Sequence, residues 1–188
     1  MGAMMQQSAS QTVGPFFRIG LIYSKAQSNL VDENTSGERI TLTGGVFDGD
    51  GQPVPDAMIE IWQPDSHGIY NHPLDPLQEQ ADPYFHGFGR AENRNAGKYE
   101  FKTIKPGGRD GMPPYINVYV FARGMLTHAM TRIYFSDEPA NAEDPLLNSV
   151  EAERRHTLIA TREDSDGEPV YRFDIHMQGE DETVFFNP

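Results

Sequence analysis

The stretch from Ile40 to Trp62 limits the fold most strongly, because two strand-like runs in it flank a turn. The apolar residues of both runs recur at every second position, as in strands with one buried face; they are Ile40, Leu42, Val46, Ala57, Ile59 and Ile61. Between the runs, residues 48–55 have the sequence DGDGQPVP, in which Asp, Gly and Pro each favour a turn. The pattern predicts a β-hairpin, with the only Trp of the chain, Trp62, as an anchor of the core.

Further alternating runs follow, separated by turns rich in Gly and Pro. They cover residues 98–104, 115–123, 128–135, 157–162, 170–177 and 183–186. One short helical segment is predicted near residues 140–155, where Asp144 is a cap and Pro145 the first helical residue. Short strands with almost no helix predict an all-β fold, an antiparallel β-sandwich with long loops. We expect one domain at residues 12–188, preceded by a flexible segment at residues 1–11.

The composition excludes several kinds of partner. The formal net charge is −13 and the pI is about 4.7, so the surface repels nucleic-acid phosphates and anionic lipid headgroups. The absence of cysteine excludes disulfides, thiolate metal sites and a Cys nucleophile. No apolar run approaches the ~20 residues needed to span a bilayer, and no secretory signal is visible at the start. We therefore expect a cytoplasmic protein.

No sequence motif forms a self-sufficient active site. None of the six histidines belongs to an H-E-x-x-H motif, and none lies two or four residues from another. We interpret each as a surface or hydrogen-bonded residue. There is also no P-loop, nucleophile elbow or dinucleotide-binding fingerprint. The residues alone indicate a β-sandwich without catalytic machinery of its own.

The segment at residues 11–17, QTVGPFF, has two possible uses. Gly14 and Pro15 bend the chain and remove a backbone donor, and the two aromatic residues that follow need a place to be buried. The segment either clasps its own sandwich or docks on another chain. Its composition leaves both possibilities open.

Several groups of residues along the chain resemble the intradiol ring-cleavage dioxygenases. They are Gln11-Thr12-x-Gly14-Pro15-Phe16, Asp48-Gly-x-Gly51, Ile59-Glu60-Ile61-Trp62-Gln63, Gly68-x-Tyr70, Thr103-Ile104-Lys105-Pro106-Gly107 and Thr131-Arg132-x-Tyr134-Phe135. Residues 121–124 (FARG), 171–175 (YRFDI) and 178–186 (QGEDETVFF) resemble a branch of this family built from two kinds of chain. The resemblance covers about residues 10–188. It implies an immunoglobulin-like β-sandwich and a non-haem Fe(III) held by two Tyr and two His.

The departures from this family fall on the positions of the iron ligands. The first Tyr ligand corresponds to Tyr70, which is retained, and the second to about Arg109. The two His ligands correspond to Tyr115 and Asn117. A guanidinium does not bind a cation at neutral pH, and an amide is a poor ligand for a hard ferric ion. We therefore expect Tyr70 to fill a vestigial pocket and this chain to bind no metal.

The resemblance then implies a non-catalytic subunit that pairs with an iron-bearing chain of the same fold. In this branch the arm around Thr12, Gly14 and Pro15 and the cation Arg132 complete the partner's substrate site. The resemblance therefore favours docking of the arm on another chain. A fixed cation would favour protocatechuate, an aromatic acid cleaved with O2, over neutral catechol. No residue of this chain alone is expected to be catalytic.

Two other hypotheses are kept. The first is a self-contained dioxygenase with an altered iron site, which would be coloured by tyrosinate-to-iron charge transfer when purified alone. The second is a non-enzymatic binding β-sandwich, in which Arg132→Ala would have no effect on ring cleavage.

Overall fold

The computed structural model describes residues 12, 14, 19–93, 97–163 and 167–187. Nine β-strands form most of the regular structure of these residues. They are β1 (Arg39–Phe47), β2 (Met58–Trp62), β3 (Phe88–Glu92), β4 (Lys98–Ile104), β5 (Tyr115–Phe121), β6 (Ala129–Phe135), β7 (Ile159–Glu163), β8 (Val170–Arg172) and β9 (Ile175–His176). The predicted all-β fold is confirmed. The segment 1–11, predicted to be flexible, and Pro15 of the arm lie outside the described residues.

The strands form a sheet that nearly closes into a barrel. Their order is β3-β2-β5-β6-β7-β8-β1-β4, with β9 beside β1. The terminal strands of this order, β3 and β4, lie in contact. The inward-facing residues of opposite sides form one core, and the predicted inward residues Ile40, Leu42, Val46, Ala57, Ile59 and Ile61 are fully buried in it. The apolar alternation therefore located the core correctly.

The predicted hairpin between β1 and β2 is wrong. β1 pairs with β4, whereas β2 pairs with β3 and β5. The turn itself exists, because Asp48 Oδ1 accepts a hydrogen bond from Gln52 N at 2.8 Å and Gly51 has a φ of +71°. After the turn, however, the chain crosses to the opposite side of the core. Two strands that face each other across a core alternate in the same way as two strands side by side, so the pattern did not distinguish them.

Among the described strands, three pairs are parallel, so the predicted antiparallel pairing holds for the other pairs only. The parallel pairs are β1 with β8, β1 with β9 and β6 with β7. β6 and β7 are joined by residues 136–158, a connection long enough to return the chain to a parallel neighbour. β8 and β9 come from the far end of the chain. Gly44 permits their close approach to β1, since a Cβ there would lie 1.7 Å from the carbonyl oxygen of Phe173.

β3 is a strand that the sequence did not predict. Its sequence, FGRAE, carries only Gly89 and Ala91 on the inward face. Leu30, from the segment before β1, occupies the space at Gly89, where a Cβ would lie 2.6 Å from Leu30 Cδ1. Small inward residues give no apolar alternation, so the sequence pattern does not predict this strand.

Helical structure is confined to short segments, and the predicted segment near residues 140–155 is confirmed. It consists of a 3-10 helix (Pro139–Glu143), the helix α1 (Pro145–Ser149) and a second 3-10 helix (Ala152–Leu158). Asp144 caps α1, because its Oδ1 accepts a hydrogen bond from Leu147 N at 2.6 Å. No helix of the described residues has the length and apolar character that crossing a bilayer requires.

The Asp144 cap gives a test of this segment. Its Oδ1 also accepts a hydrogen bond from the buried Tyr134 hydroxyl at 3.0 Å. Asp144→Ala therefore loses a helix cap and leaves that hydroxyl unsatisfied, and we expect the free energy of unfolding to fall by about 2–3 kcal/mol. Urea unfolding followed by circular dichroism measures it. The exposed neighbour Glu143 is the matched control, and equal effects of Glu143→Ala and Asp144→Ala would contradict the assignment.

Candidate functional site

The outer face of the sheet around β2, β5 and β6 carries the candidate site. Trp62, predicted to be a core anchor, instead points outward here because Ile59 and Ile61 take the inward positions of β2. The Trp62 indole stacks on the Tyr70 ring, with centroids 5.4 Å apart. The loop after β2 holds Tyr70 in place, since the buried Asp65 accepts backbone hydrogen bonds at 2.8–3.0 Å from residues 67, 69 and 82.

The Tyr70 hydroxyl lies among the side chains of two other predicted vestigial positions, Tyr115 and Asn117. Asn117 Nδ2 donates to it at 3.5 Å, and Tyr115 lies beside it. Burial raises the pKa of Tyr70 well above its ordinary value, and Tyr115 acts in the same direction. Arg132 and Asn117 act in the opposite direction without offsetting burial. Tyr70 is therefore a neutral phenol at neutral pH.

The fourth position, Arg109, is tied to the same loop by an ion pair. Its guanidinium lies 2.7 Å from Asp75 Oδ2, which also accepts the backbone N–H of Tyr70 at 2.9 Å. The pKa of Asp75 is lowered, first by backbone hydrogen bonds from Leu77 and Tyr70 and then by Arg109. The loops carrying Tyr70 and Arg109 approach closely at Gly68, whose φ is +78° and whose added Cβ would lie 2.9 Å from Arg109 Cβ. Arg109 thus has a structural partner.

Arg132 extends from β6 over the same site. It is the ladder partner of Asn117 on β5, and its Nε donates to Asn117 Oδ1 at 3.3 Å. Its guanidinium carbon lies 4.0 Å from the centroid of the Tyr115 ring, within the range of a cation–π contact. Arg132 is therefore engaged with residues of its own chain, beside the site.

A pocket of about 200 Å³ remains between these side chains. Its lining consists of Pro64, Gly68, Tyr70, Gly107, Arg109, Asp110, Met112, Pro113 and Tyr115. The structure thus brings together the predicted vestigial positions, with Tyr70, Arg109 and Tyr115 on the pocket wall and Asn117 hydrogen-bonded to Tyr70.

These residues do not fit a ferric ion. Both ends of the Asn117 amide are engaged, with Arg132 on the oxygen and Tyr70 on the nitrogen. Two guanidiniums, Arg109 and Arg132, would stand beside any bound cation. Ferric iron prefers anionic oxygen donors and imidazole nitrogens. Within the described residues, no three His, Asp or Glu side chains are grouped so that they could hold a metal ion.

The N-terminal arm contacts a different part of the β5–β6 hairpin. Thr12 Oγ1 accepts a hydrogen bond from the backbone N–H of Gly124 at 2.8 Å, in the turn between the two strands. Gly14 is half-buried. The Asn117–Arg132 pair lies three ladder steps from the pair Val120–Ala129 before the turn, or roughly 10 Å at ~3.3 Å per residue. The structure therefore does not bring Arg132 together with Thr12.

Among the described residues, the cation that directly precedes the anchor Gly124 in sequence is Arg123, which the sequence analysis did not single out. It directly precedes Gly124, its side chain is 65% exposed, and its Nε lies 2.6 Å from Asp56 Oδ2. The only sequence signal was its position in FARG, one of the motifs of the two-chain branch. A single exposed Arg in a turn forms no recognisable motif. Its importance is indicated only by its neighbour Gly124, which is hydrogen-bonded to Thr12.

Comparison with known proteins identifies similar chains. A family profile described as "Dioxygenase" matches residues 13–179. The protocatechuate 3,4-dioxygenase alpha chain of Burkholderia cepacia is 45% identical, covering 97% of this chain and 98% of the relative. The beta chain from the same organism is 34% identical, covering 78% of this chain and 67% of the relative. The dioxygenase domain of a dioxygenase carbohydrate-binding protein fusion from Streptomyces sp. SirexAA-E shares the fold, with a TM-score of 0.64, 24% identity and coverage of 81% and 87%.

The ionisation of Tyr70 can be tested through the pH dependence of stability. A hydroxyl whose pKa is raised on folding stabilises the fold below its unfolded-state pKa, about 10 for tyrosine, and this contribution is lost as the pH rises further. We expect Tyr70→Phe to lose less free energy of unfolding than the unmodified chain between about pH 10 and pH 12. Urea unfolding at several pH values measures this. The half-exposed Tyr84→Phe is the control, and an unchanged slope for Tyr70→Phe would contradict the assignment.

Proposed function

The chain belongs to the intradiol dioxygenase family, and we propose that it is the non-iron-binding α subunit of a protocatechuate 3,4-dioxygenase. The complete enzyme, formed with an iron-bearing β chain, cleaves protocatechuate with O2 between its hydroxylated carbons to give 3-carboxy-cis,cis-muconate. The cytoplasm stays the predicted location. The immunoglobulin-like sandwich is also part of this proposal. The structure itself is described more generally as an all-β, nearly closed sheet with parallel and antiparallel pairs.

One observation supports this function most strongly. At the four positions that the family resemblance assigns to iron ligands, the chain has a network of a neutral phenol, a second tyrosine, an amide and an ion-paired guanidinium around a pocket. A chain that only bound ligands would have no reason to keep this arrangement of loops at these positions. A catalytic chain would need anionic or imidazole donors there. The combination fits a subunit that keeps the scaffold and leaves the metal to its partner.

The partner is a chain of the same fold, which the similarity to a protocatechuate 3,4-dioxygenase beta chain supports. The ferric ion held there supplies the activation of the bound ring towards O2. This chain binds and orients: the arm at Thr12, Gly14 and Pro15 forms part of the wall of the partner's substrate site. The hydrogen bond from Gly124 N to Thr12 Oγ1 fixes where that arm leaves its own domain.

A cation of this chain selects the substrate carboxylate. The family resemblance assigns this role to Arg132, whereas the position next to the arm belongs to Arg123. Arg132 already contacts Asn117 and the Tyr115 ring, so its binding to a carboxylate across the interface requires these contacts to be given up. Both arginines are therefore compared in the experiment below.

Iron content tests the division of roles between the chains. We expect this chain, expressed alone, to be colourless and to contain far less than one iron per chain, because the pocket offers no suitable donors. Co-expression with a β chain should give a coloured complex that opens the ring of protocatechuate. Elemental analysis and oxygen uptake measure both properties. Stoichiometric Fe(III) and ring cleavage in the chain alone would instead establish a self-contained dioxygenase.

The cation is tested by two matched variants in the co-expressed complex, Arg132→Gln and Arg123→Gln. Loss of the guanidinium that binds the substrate carboxylate should raise the KM for protocatechuate about tenfold or more, which corresponds to about 1.4 kcal/mol. The KM for catechol, which has no carboxylate, should stay unchanged. Steady-state kinetics with both substrates assigns the role to one arginine. Unchanged KM values for both variants would remove charge selection by this chain from the proposal.

A further inference from the structure

The pocket beside Tyr70 has no ligand in the proposed function, although its size and its lining suit a small one. Its volume is about 200 Å³. An apolar cavity of about 150 Å³ is large enough to bind benzene, so a single substituted ring fits here. Much of the wall is apolar side chain or backbone, contributed by Pro64, Gly68, Gly107, Met112, Pro113 and Tyr115.

One wall of the pocket is a tight turn. Arg109 and Met112 exchange two backbone hydrogen bonds, of 2.9 and 3.2 Å, across Asp110 and Gly111. These two central residues have φ values of +55° and +80°, the signs that a two-residue type I′ turn requires. Among the described residues, Asp110 is the only one other than glycine with a positive φ. The turn therefore holds this wall in place before any ligand binds, which reduces the cost of binding.

The charges beside the pocket do not favour an anion. Arg109 Nη1 lies 2.7 Å from Asp75 Oδ2, and its Nε lies 3.4 Å from Asp110 Oδ2. Asp110 is itself part of the lining. The second guanidinium, Arg132, lies near Tyr70 but outside the lining that the structure describes. An anionic ligand would meet carboxylates as well as guanidiniums and would lose its hydration in a largely apolar space. The pocket therefore favours a neutral ligand.

Tyr70 gives this wall a polar group that suits a hydroxyl. Its oxygen accepts a hydrogen bond from Asn117 Nδ2 at 3.5 Å. Burial raises the pKa of Tyr70, so its own proton stays in place at neutral pH and can be donated. A ligand hydroxyl accepts such a proton, whereas the ring that carries it needs the apolar part of the wall. A neutral ring with one hydroxyl matches both parts.

We propose that this pocket binds a neutral phenol, a single aromatic ring with a hydroxyl group, without a metal ion. The ligand hydroxyl accepts a hydrogen bond from Tyr70, and the ring packs against Tyr115, Met112 and Pro113. This goes beyond the proposed function, which leaves the pocket without a ligand. The binding requires neither iron nor the partner chain, so its test does not depend on ring cleavage.

Trp62 reports on the pocket in a titration of the full chain with phenol. It is the only tryptophan of the chain and stacks on Tyr70, with ring centroids 5.4 Å apart. We expect a saturable change in its fluorescence, with a Kd of about 1 mM or below. Benzoate, which carries a charge instead of the hydroxyl, should bind about tenfold more weakly. No saturation with phenol, or benzoate binding as tight as that of phenol, would overturn the proposal.

The variant Tyr70→Phe tests the hydrogen bond, because it removes the hydroxyl and keeps the ring. The Kd for phenol should rise about three- to tenfold, whereas toluene, which has no hydroxyl, should bind as it does to the unmodified chain. Tyr84→Phe is the matched control, since Tyr84 is 49% exposed and lies outside the lining, and it should leave both Kd values unchanged. An unchanged Kd for phenol in Tyr70→Phe would overturn the assigned contact.

A crystal structure locates the ligand directly, whether the chain is obtained alone or together with its partner. Bromine gives an anomalous signal, so crystals are soaked in a bromophenol. We expect bromine in the pocket and the ligand oxygen within about 3 Å of the Tyr70 hydroxyl. Bromine found only at other positions would overturn the proposal even if the fluorescence of Trp62 changes.

Discussion

The Asn117 side chain is the interaction on which the pocket depends. Its oxygen accepts from Arg132 Nε at 3.3 Å, and its nitrogen donates to the Tyr70 hydroxyl at 3.5 Å. An amide is suited to this place because it accepts at one end and donates at the other, whereas a carboxylate would only accept. The result joins a cation and a buried phenol into one network. Arg132 is the cation of this network.

The fold separates this chemistry from stability by strand alternation. Along β5, Ile116, Val118 and Val120 are fully buried in the core, whereas Tyr115 lines the pocket and Asn117 is hydrogen-bonded to Tyr70. Changes on one face therefore leave the packing of the other face intact. A chain can therefore change its outward residues and keep the same sheet. The buried residues of the inward face contribute most to the free energy of unfolding, whereas the residues of the candidate site lie on the outward face.

The sequence predicted the core, the all-β class and the helical segment, because each follows from a local pattern or cap. It failed for the connection of β1 to β2, since alternation does not specify which neighbour a strand pairs with. It also failed for β3, whose inward residues Gly89 and Ala91 are small, and Leu30 fills the space at Gly89. Contacts between residues far apart in sequence decide both cases, and they leave no local signal.

The candidate site was predictable only through the family resemblance. Nothing in the spacing of Tyr70, Arg109, Tyr115 and Asn117 suggests a common pocket, yet the structure places them together. The resemblance could not show that Arg132 is engaged in that pocket, because the contact with the Tyr115 ring depends on side-chain positions. The outward position of Trp62, in contrast, follows from alternation, because its neighbour Ile61 is buried.

The two ends of the β5–β6 hairpin carry two separate features, the pocket and the anchor of the arm. The pocket lies at the Asn117–Arg132 pair, whereas the arm is anchored in the turn at Gly124. Because the ladder between them is rigid, the arm keeps its position whatever occupies the pocket. A change of side chains at one end therefore leaves the hydrogen bond of Thr12 at the other end in place.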